Sequence, residues 1–382
     1  MRPTPSLLAI TTVLATLSLA APTGQEKNTT TSPPYKLVDD LSYTNFFTAF
    51  DFFSGPDPTE GFVQYQDREA AIVQNLVGFL NDTQSVFMGV DYTTQDPRGR
   101  ASVRLESRKT WNQGLLVADI RHMPASICGT WPAFWLLSGK NKDGGEQDGE
   151  ELPWPTGGEI DILEGVNDYT TNAVTLHTSK GCIVDNSTTD TTLTGSTTDA
   201  STPISFTGTL KTENCDVDAP GQVQNAGCSI HAPATLPLDP QLQPPPYTRT
   251  PLPSYGTPFN TAGGGIYAME WTNSSISIWF IPRTSTFTPS THNLPLHPDP
   301  SSWGPPLAHF SGSGCPLSTR FKHLKIIFDT TFCGQWAGRE WERGGCRAST
   351  GVRTCEEYVW AHPGVFEEAY WEVAGLGWFQ RG

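Results

Sequence analysis

Charge is what this chain has least of. Asp, Glu, Lys and Arg make up 16% of its 382 residues, and the basic share is the smaller one, 24 Lys and Arg against 39 Asp and Glu. With a formal net charge of −15 and no basic patch to offset it, a surface built for nucleic-acid phosphates or an anionic membrane is excluded. Long amphipathic helical patterns are missing, so a helical bundle is excluded as well. No two cysteines stand in C-x-x-C spacing, which argues against a structural zinc site or a thioredoxin-like redox motif. After the first twenty residues no apolar run is long enough to suggest a membrane span, and the final "GWFQRG" offers no apolar tail of the kind a lipid anchor replaces.

What is present points outward from the cell. Residues 1–20 place the uncharged run "LLAITTVLATLSLAAP" after Met1-Arg2, with Ser18 and Ala20 set as a cleavage site requires, and this reads as a secretory signal peptide. The expected product is secreted and extracellular. The 8 cysteines, Cys128, Cys182, Cys215, Cys228, Cys315, Cys333, Cys346 and Cys355, form an even, scattered set that reads as disulfides. Spacing does not fix their pairing, although Cys215 and Cys228 are expected to pin one loop. Asn28, Asn81, Asn186 and Asn273 each open an N-x-[ST] triplet, an acceptor for surface glycan in an exported chain.

Residues 21–42 are rich in Thr, Ser and Pro and read as an unpaired N-terminal tail, followed by one domain over residues 43–382. Short alternating runs then recur between Gly, Pro and Asn clusters. "ASVRLES" sets Ala101, Val103 and Leu105 against Ser102, Arg104 and Glu106; "GIYAMEW", "SSISIWFI", "FKHLKIIFDTTF" and "AYWEVAGLGWFQ" behave alike. Period-two runs bounded this way are strands, and strands without long helices predict an all-β sandwich or jelly roll. "CEEYVW" and "GVFEEA" allow a short helix each. Residues 186–260 break the rhythm with Thr, Ser and Pro, and their Pro-rich part, about 231–254, reads as a long exposed loop insertion.

One strand-like run carries an oddity. "PTGGEIDILEGVND" places Glu159, Asp161 and Glu164 among Ile, Leu and Gly. Glu159 and Asp161 share a face, whereas Glu164, five residues after Glu159, would point the other way in a regular strand. A β-bulge near Ile162–Leu163 would absorb one residue and turn Glu164 back to its partners. Gly157, Gly158 and Gly165 flank the run, where bare backbone would let a polymer approach closely. Two carboxyls on one face suit glycosidic-bond cleavage. Clustered carboxylates suit a calcium ion equally well, and a solvated strand face is the bland reading; E-x-D-x-x-E alone does not decide. Trp131 and Trp135 in "GTWPAFWLL" share a strand face, Trp154 precedes Glu159 by five residues, and His177 follows in "AVTLHT". Aromatic rings beside carboxylates form platforms for sugar rings, although most of the 12 tryptophans, Trp371 among them, are expected in the core.

"GTWPAFWLL", "WPTGGEIDILEGVN", "TLHT", "GGGIYAMEW", "FDTTFCGQWAG" and "FEEAYWEV", in that order from about Tyr43 to Gln380, together resemble the fungal laminarinase-like branch of glycoside hydrolase family 16. The resemblance implies a concanavalin A-like β-sandwich jelly roll of two curved antiparallel sheets. It also implies a retaining endo-1,3(4)-beta-glucanase that acts on β-1,3- or mixed β-1,3/1,4-glucans through a covalent glycosyl-enzyme. By motif position Glu159 corresponds to the nucleophile, Glu164 to the general acid/base and Asp161 to an assisting carboxyl. Trp131, Trp135, Trp154, Asn167 and His177 correspond to substrate-binding positions. No cofactor or metal is expected, nor any partner beyond a β-glucan substrate, and the chain is expected to be a monomer. A cell-wall transglycosylase needs the same acids, and an inactive glucan-binding lectin would be expected to lose one. The stretch "KNKDGGEQDGEEL" and the Pro-rich insertion exceed the family minimum and leave linkage preference open.

Overall fold

Strand pairing follows the alternation closely. Gly265–Trp271 and Ser275–Pro282 form a hairpin in continuous register, Gly265 opposite Pro282 and Trp271 opposite Ile276, with Asn273 exposed in the turn. The computed structural model describes residues 33–143, 152–185, 206–235, 250–283, 294–295 and 297–382. The signal peptide, the sequons at Asn28 and Asn186, most of "KNKDGGEQDGEEL" and the middle of the Pro-rich insertion lie outside the described residues.

Two antiparallel sheets of eight strands each make the sandwich. The first runs Ala308–Ser311, Ser275–Pro282, Gly265–Trp271, Gly114–His122, Trp371–Arg381, Ser85–Met88 and Val77–Leu80, with Tyr35–Asp40 also paired to Trp371–Arg381. The second runs Thr209–Thr212, Cys228–His231, Ala173–His177, Glu159–Glu164, Thr130–Ser138, Leu324–Phe332, Arg104–Ser107 and Phe50–Phe53. Helices are short, the longest described being Cys355–Ala361, capped by Thr354, whose side chain accepts from Glu357 N–H. Residues 33–382 hold together as one unit. No described helix is long and apolar enough to cross a membrane.

In the central strands of both sheets the residues that face the opposite sheet are apolar and buried, whereas the edge strands Val77–Leu80 and Thr209–Thr212 bury none. Leu116, Ala118 and Ile120 from the first sheet share a core with Phe134, Leu136, Ile160 and Phe328 from the second. Phe134 stacks on Phe328 at 4.4 Å, and Trp371 meets Phe328 edge-on at 5.5 Å. Each such side chain contributes about 1.5–3 kcal/mol by leaving water. Trp371 is therefore core, as expected. The four disulfides are Cys128–Cys346, Cys182–Cys315, Cys215–Cys228 and Cys333–Cys355. The expected 215–228 pair is among them, and it ties the ends of the two strands that residues 206–235 contribute.

One expectation fails at the N-terminus. Residues 35–40 are not an unpaired tail: Tyr35–Asp40 adds a strand alongside Trp371–Arg381. Tyr35 is buried and its hydroxyl donates to Glu270 Oε1 at 2.7 Å. Composition suggested a tail because Thr, Ser and Pro dominate up to residue 34; the six-residue strand behind them was too short to stand out.

Candidate active site

The acid strand Glu159–Glu164 lies between Thr130–Ser138 and Ala173–His177. Against Thr130–Ser138 the register reads Glu159 opposite Leu137, Asp161 opposite Trp135, then Leu163 opposite Phe134 and Glu164 opposite Ala133. Two residues of the acid strand pass one residue of its neighbour between Asp161 and Leu163, so Ile162 is the extra residue. Trp131, Ala133, Trp135 and Leu137 alternate onto the face turned away from the core, and the bulge returns Glu164 to that face with Glu159 and Asp161. Ile160, Ile162 and Leu163 are buried in the core. The predicted irregularity is thus present at the predicted place.

A bulge leaves ladder groups without partners, and buried ones must be satisfied. Asn172, just before Ala173–His177 and 0% exposed, does this with its side chain. Its Nδ2 donates to Ile162 O at 2.8 Å, and its Oδ1 accepts from Glu164 N–H at 2.8 Å. The flanking glycines serve packing rather than polymer approach, which corrects that expectation. Gly158 has φ +79°, and a Cβ there would fall 2.7 Å from Arg320 O; at Gly165 a Cβ would fall 2.8 Å from the Tyr255 ring.

Each carboxyl has its own setting. Trp154 Nε1 donates to Glu159 Oε2 at 2.5 Å, and Trp131 Nε1 donates to Glu164 Oε1 at 2.8 Å. Asp161, 2% exposed, lies between them with His177 Nε2 3.2 Å from its Oδ2. Burial pushes all three carboxyls up. Glu159 reaches about 7, through burial first and the Asp161 charge second. Asp161 and Glu164 are raised well above the carboxylate range, Asp161 by burial and then Asp329, Glu164 by burial and then Asp161. Glu159 is the least enclosed of the three, half-buried where Asp161 and Glu164 are buried. Neighbouring carboxyls in unequal settings can differ in the ease with which they lose a proton.

The same face continues across the sheet. Asp329, opposite Ala133, accepts from Trp135 Nε1 at 2.9 Å and from the Tyr65 hydroxyl at 2.6 Å. Burial raises it to about 6, against the nearby Arg104 charge. The Arg104 guanidinium lies between rings, 4.7 Å from the Phe53 centroid and 4.9 Å from that of Trp135, so one side of Trp135 is fixed by a cation. Beyond it, Phe53, Glu106, Leu137 and Lys325 help line a recess of about 340 Å³. On the other side, Trp336 from the Gly334–Gly338 turn meets Trp131 edge-on at 5.7 Å, and Tyr169 meets Trp336 at 6.1 Å.

The structure brings seven of the eight sequence-predicted residues to this face or its rim: Glu159, Asp161, Glu164, Trp131, Trp135, Trp154 and His177. The eighth, Asn167, is 1% exposed, and its amide is committed to the scaffold, accepting from Gly129 N–H at 2.8 Å and donating to Ala337 O at 3.1 Å. It holds the loop rather than facing the groove. Sequence reading missed Asp329, Arg104, Asn172 and Trp336. Asp329 carried the same signal as the triplet, an acid inside an apolar strand run. Asn172 carried none, because a side chain that repairs a bulge has no fixed spacing. One ligand-type atom from each of Glu159, Asp161 and His177 lies within 4.8 Å of the others. An imidazole in place of an oxygen, and indole donors on both glutamates, fit proton sharing better than the six to eight oxygens calcium takes.

Comparison with known proteins places the chain among glucan-active enzymes of one fold. The chain is 38% identical over 390 residues to a probable endo-1,3(4)-beta-glucanase of Aspergillus clavatus, covering 100% of this chain and 52% of the relative. It is 40% identical over 352 residues to an endo-1,3(4)-beta-glucanase of Arthroderma benhamiae, covering 92% and 66%. The chain thus spans about half to two thirds of the length of these relatives. Its fold matches that of GH16 Laminarinase 16A from Phanerochaete chrysosporium, solved with 6-O-glucosyl-laminaritriose in both donor and acceptor sites, at a TM-score of 0.71 and 35% identity over 91% of this chain and 99% of that one. It also matches an elongating GH family 16 beta-1,3-glucosyltransferase at a TM-score of 0.69 and 37% identity, over 91% and 100%. A family model described as an XgeA-like, catalytic GH16 domain matches residues 50–237 and 246–379, and the chain belongs to that family.

Proposed function

We propose that this chain is a retaining endo-β-glucanase acting on β-1,3- and mixed β-1,3/1,4-glucans. The observation that carries the reading is the bulge at Ile162, which sets Glu159 and Glu164 on one face with Asp161 between them. In the first step Glu159 attacks the anomeric carbon while Glu164 protonates the departing glycosidic oxygen. In the second, Glu164 takes a proton from water, which displaces Glu159 and restores the starting configuration. Asp161 shares a proton with the developing charge at Glu159, and His177 holds Asp161. Trp131, Trp135 and Trp154 provide ring faces and rims for sugar, with Trp135 braced by Arg104 and Asp329.

Four disulfides support an oxidising compartment, and with the N-terminal signal they support secretion. Asn81 and Asn273 are exposed in hairpin turns of the first sheet, positions a glycan can occupy without meeting the groove. The likeness to the elongating glucosyltransferase supports a second reading, in which another glucan rather than water resolves the covalent intermediate. Incubation with laminarin, lichenan and xyloglucan decides. Rapid viscosity loss and a ladder of short oligosaccharides from laminarin are expected. Products longer than a supplied laminari-oligosaccharide would establish the transferase instead, and binding without cleavage would refute both.

A further inference from the structure

Asn172 is 0% exposed and holds the backbone on both sides of the bulge. Its amide spans Leu163, donating to Ile162 O and accepting from Glu164 N–H, both at 2.8 Å. A ladder partner would normally do this, but between Asp161 and Glu164 three steps of the acid strand face two of the neighbouring strand, from Thr175 to Ala173. The side chain of Asn172 therefore stands in for a missing peptide. It is itself held: its N–H donates to Ser254 Oγ at 3.1 Å, its carbonyl accepts from Ala232 N–H at 2.8 Å, and the Ser254 carbonyl accepts from the Tyr267 hydroxyl at 2.5 Å. Ser254, Tyr267 and Asn172 are all 0% exposed.

We propose that Asn172 is a positioning residue for the general acid: by clamping the backbone at Glu164 it fixes the direction in which that carboxyl delivers its proton. Geometry separates this role from general stability. Glu159 and Asp161 precede the bulge and are held by regular pairing to His177 and Thr175. Glu164 follows it, opposite Ala173 and Ala133, and two side chains anchor it there, the Asn172 amide at its N–H and the Trp131 indole at its carboxyl. Loosening the first anchor displaces the acid and leaves the nucleophile in place. This inference rests on the proposed role of Glu164.

The test compares kcat/KM, which reports the first chemical step, on two laminaribiosides. One carries a 2,4-dinitrophenyl leaving group, which departs without a proton, and the other an alkyl leaving group, which needs one. General acid catalysis contributes about 10²–10⁴-fold, so Asn172→Ala is expected to lose roughly ten- to a hundred-fold on the alkyl glycoside and less than about three-fold on the dinitrophenyl one. Equal losses on both substrates would overturn the proposal, since that is what a merely structural residue gives. Should Asn172→Ala fail to fold, Asn172→Ser and Ser254→Ala carry the test; the latter removes only the anchor of the clamp and is expected to show the same imbalance, weaker. Glu164→Ala serves as the separate control. If it shows no leaving-group imbalance, the assignment of the acid fails. If it does and the Asn172 variants do not, only the clamp fails. In the Glu164→Ala background, adding Asn172→Ala should leave the ratio unchanged.

Discussion

Replacing Trp131 by Phe removes one hydrogen bond and keeps most of the ring. The Trp131 indole donates to Glu164 Oε1 at 2.8 Å, and that bond favours the ionised form, so it holds the Glu164 proton more loosely than burial alone would. Glu164 is 9% exposed, and water therefore replaces the bond poorly. A hydrogen bond to a charged, buried group contributes about 1.5–3 kcal/mol, and about 1.4 kcal/mol corresponds to one pH unit. In the proposed mechanism Glu164 must be protonated to act, so the alkaline limb of the kcat/KM profile should move up by about one to two units in Trp131→Phe, with the acid limb unmoved. Trp154→Phe is the mirror experiment. Trp154 donates to Glu159 Oε2, and Glu159 must be ionised to attack. Losing that donor should move the acid limb up, by about half a unit, because Trp154 is 47% exposed and water recovers part of the bond. The assay is a pair of pH profiles on one laminari-oligosaccharide. If Trp131→Phe moves the acid limb, or if both variants move the same limb, the division of labour between the two glutamates is wrong.

Other outcomes follow from the same charges. Glu159 is raised to about 7 in the folded chain, so between the ordinary carboxylate value and about 7 the folded state binds more protons than the unfolded one, and stability falls as pH rises through that window. Glu159→Gln should abolish turnover yet stabilise the fold above pH 7 by about 3 kcal/mol in denaturant titrations, with the gain vanishing below about pH 4.5. A destabilised variant at alkaline pH would contradict the burial argument. On a dinitrophenyl laminaribioside, whose leaving group departs without a proton, Glu164→Ala should be slow in the second step but recover with azide, giving a β-glycosyl azide detectable by NMR. Azide needs no proton removed before it attacks, so recovery distinguishes a lost base from a lost fold.

Much of this architecture was legible because β-structure writes its faces in alternation. The Arg104 and Glu106 side of "ASVRLES" is the groove side, and Val103 and Leu105 are buried as expected. The bulge was legible for the same reason: three acids whose spacing cannot share a face in a regular strand demand one irregularity. What stayed hidden has a common physical cause. Asn172, Asn167 and Ser254 satisfy backbone groups that exist only after the strands pair, so their positions depend on tertiary geometry, not on sequence period. Asn167, given as a substrate-binding position by the family resemblance, belongs to this class. The Tyr35–Asp40 strand was hidden by its neighbours' composition, and Trp336 by a turn whose shape the motif does not state.

The central claim is that the carboxyl of Glu159, turned by the strand toward the groove, forms a bond to sugar. A laminaribioside with fluorine at C2 and a dinitrophenyl leaving group forms the glycosyl-enzyme quickly and releases it slowly. Mass spectrometry of the digested protein should then find one added disaccharide, on the peptide carrying Glu159, at Glu159 itself. An adduct on Asp161 or Glu164, or inactivation-free turnover with no adduct, would contradict the account.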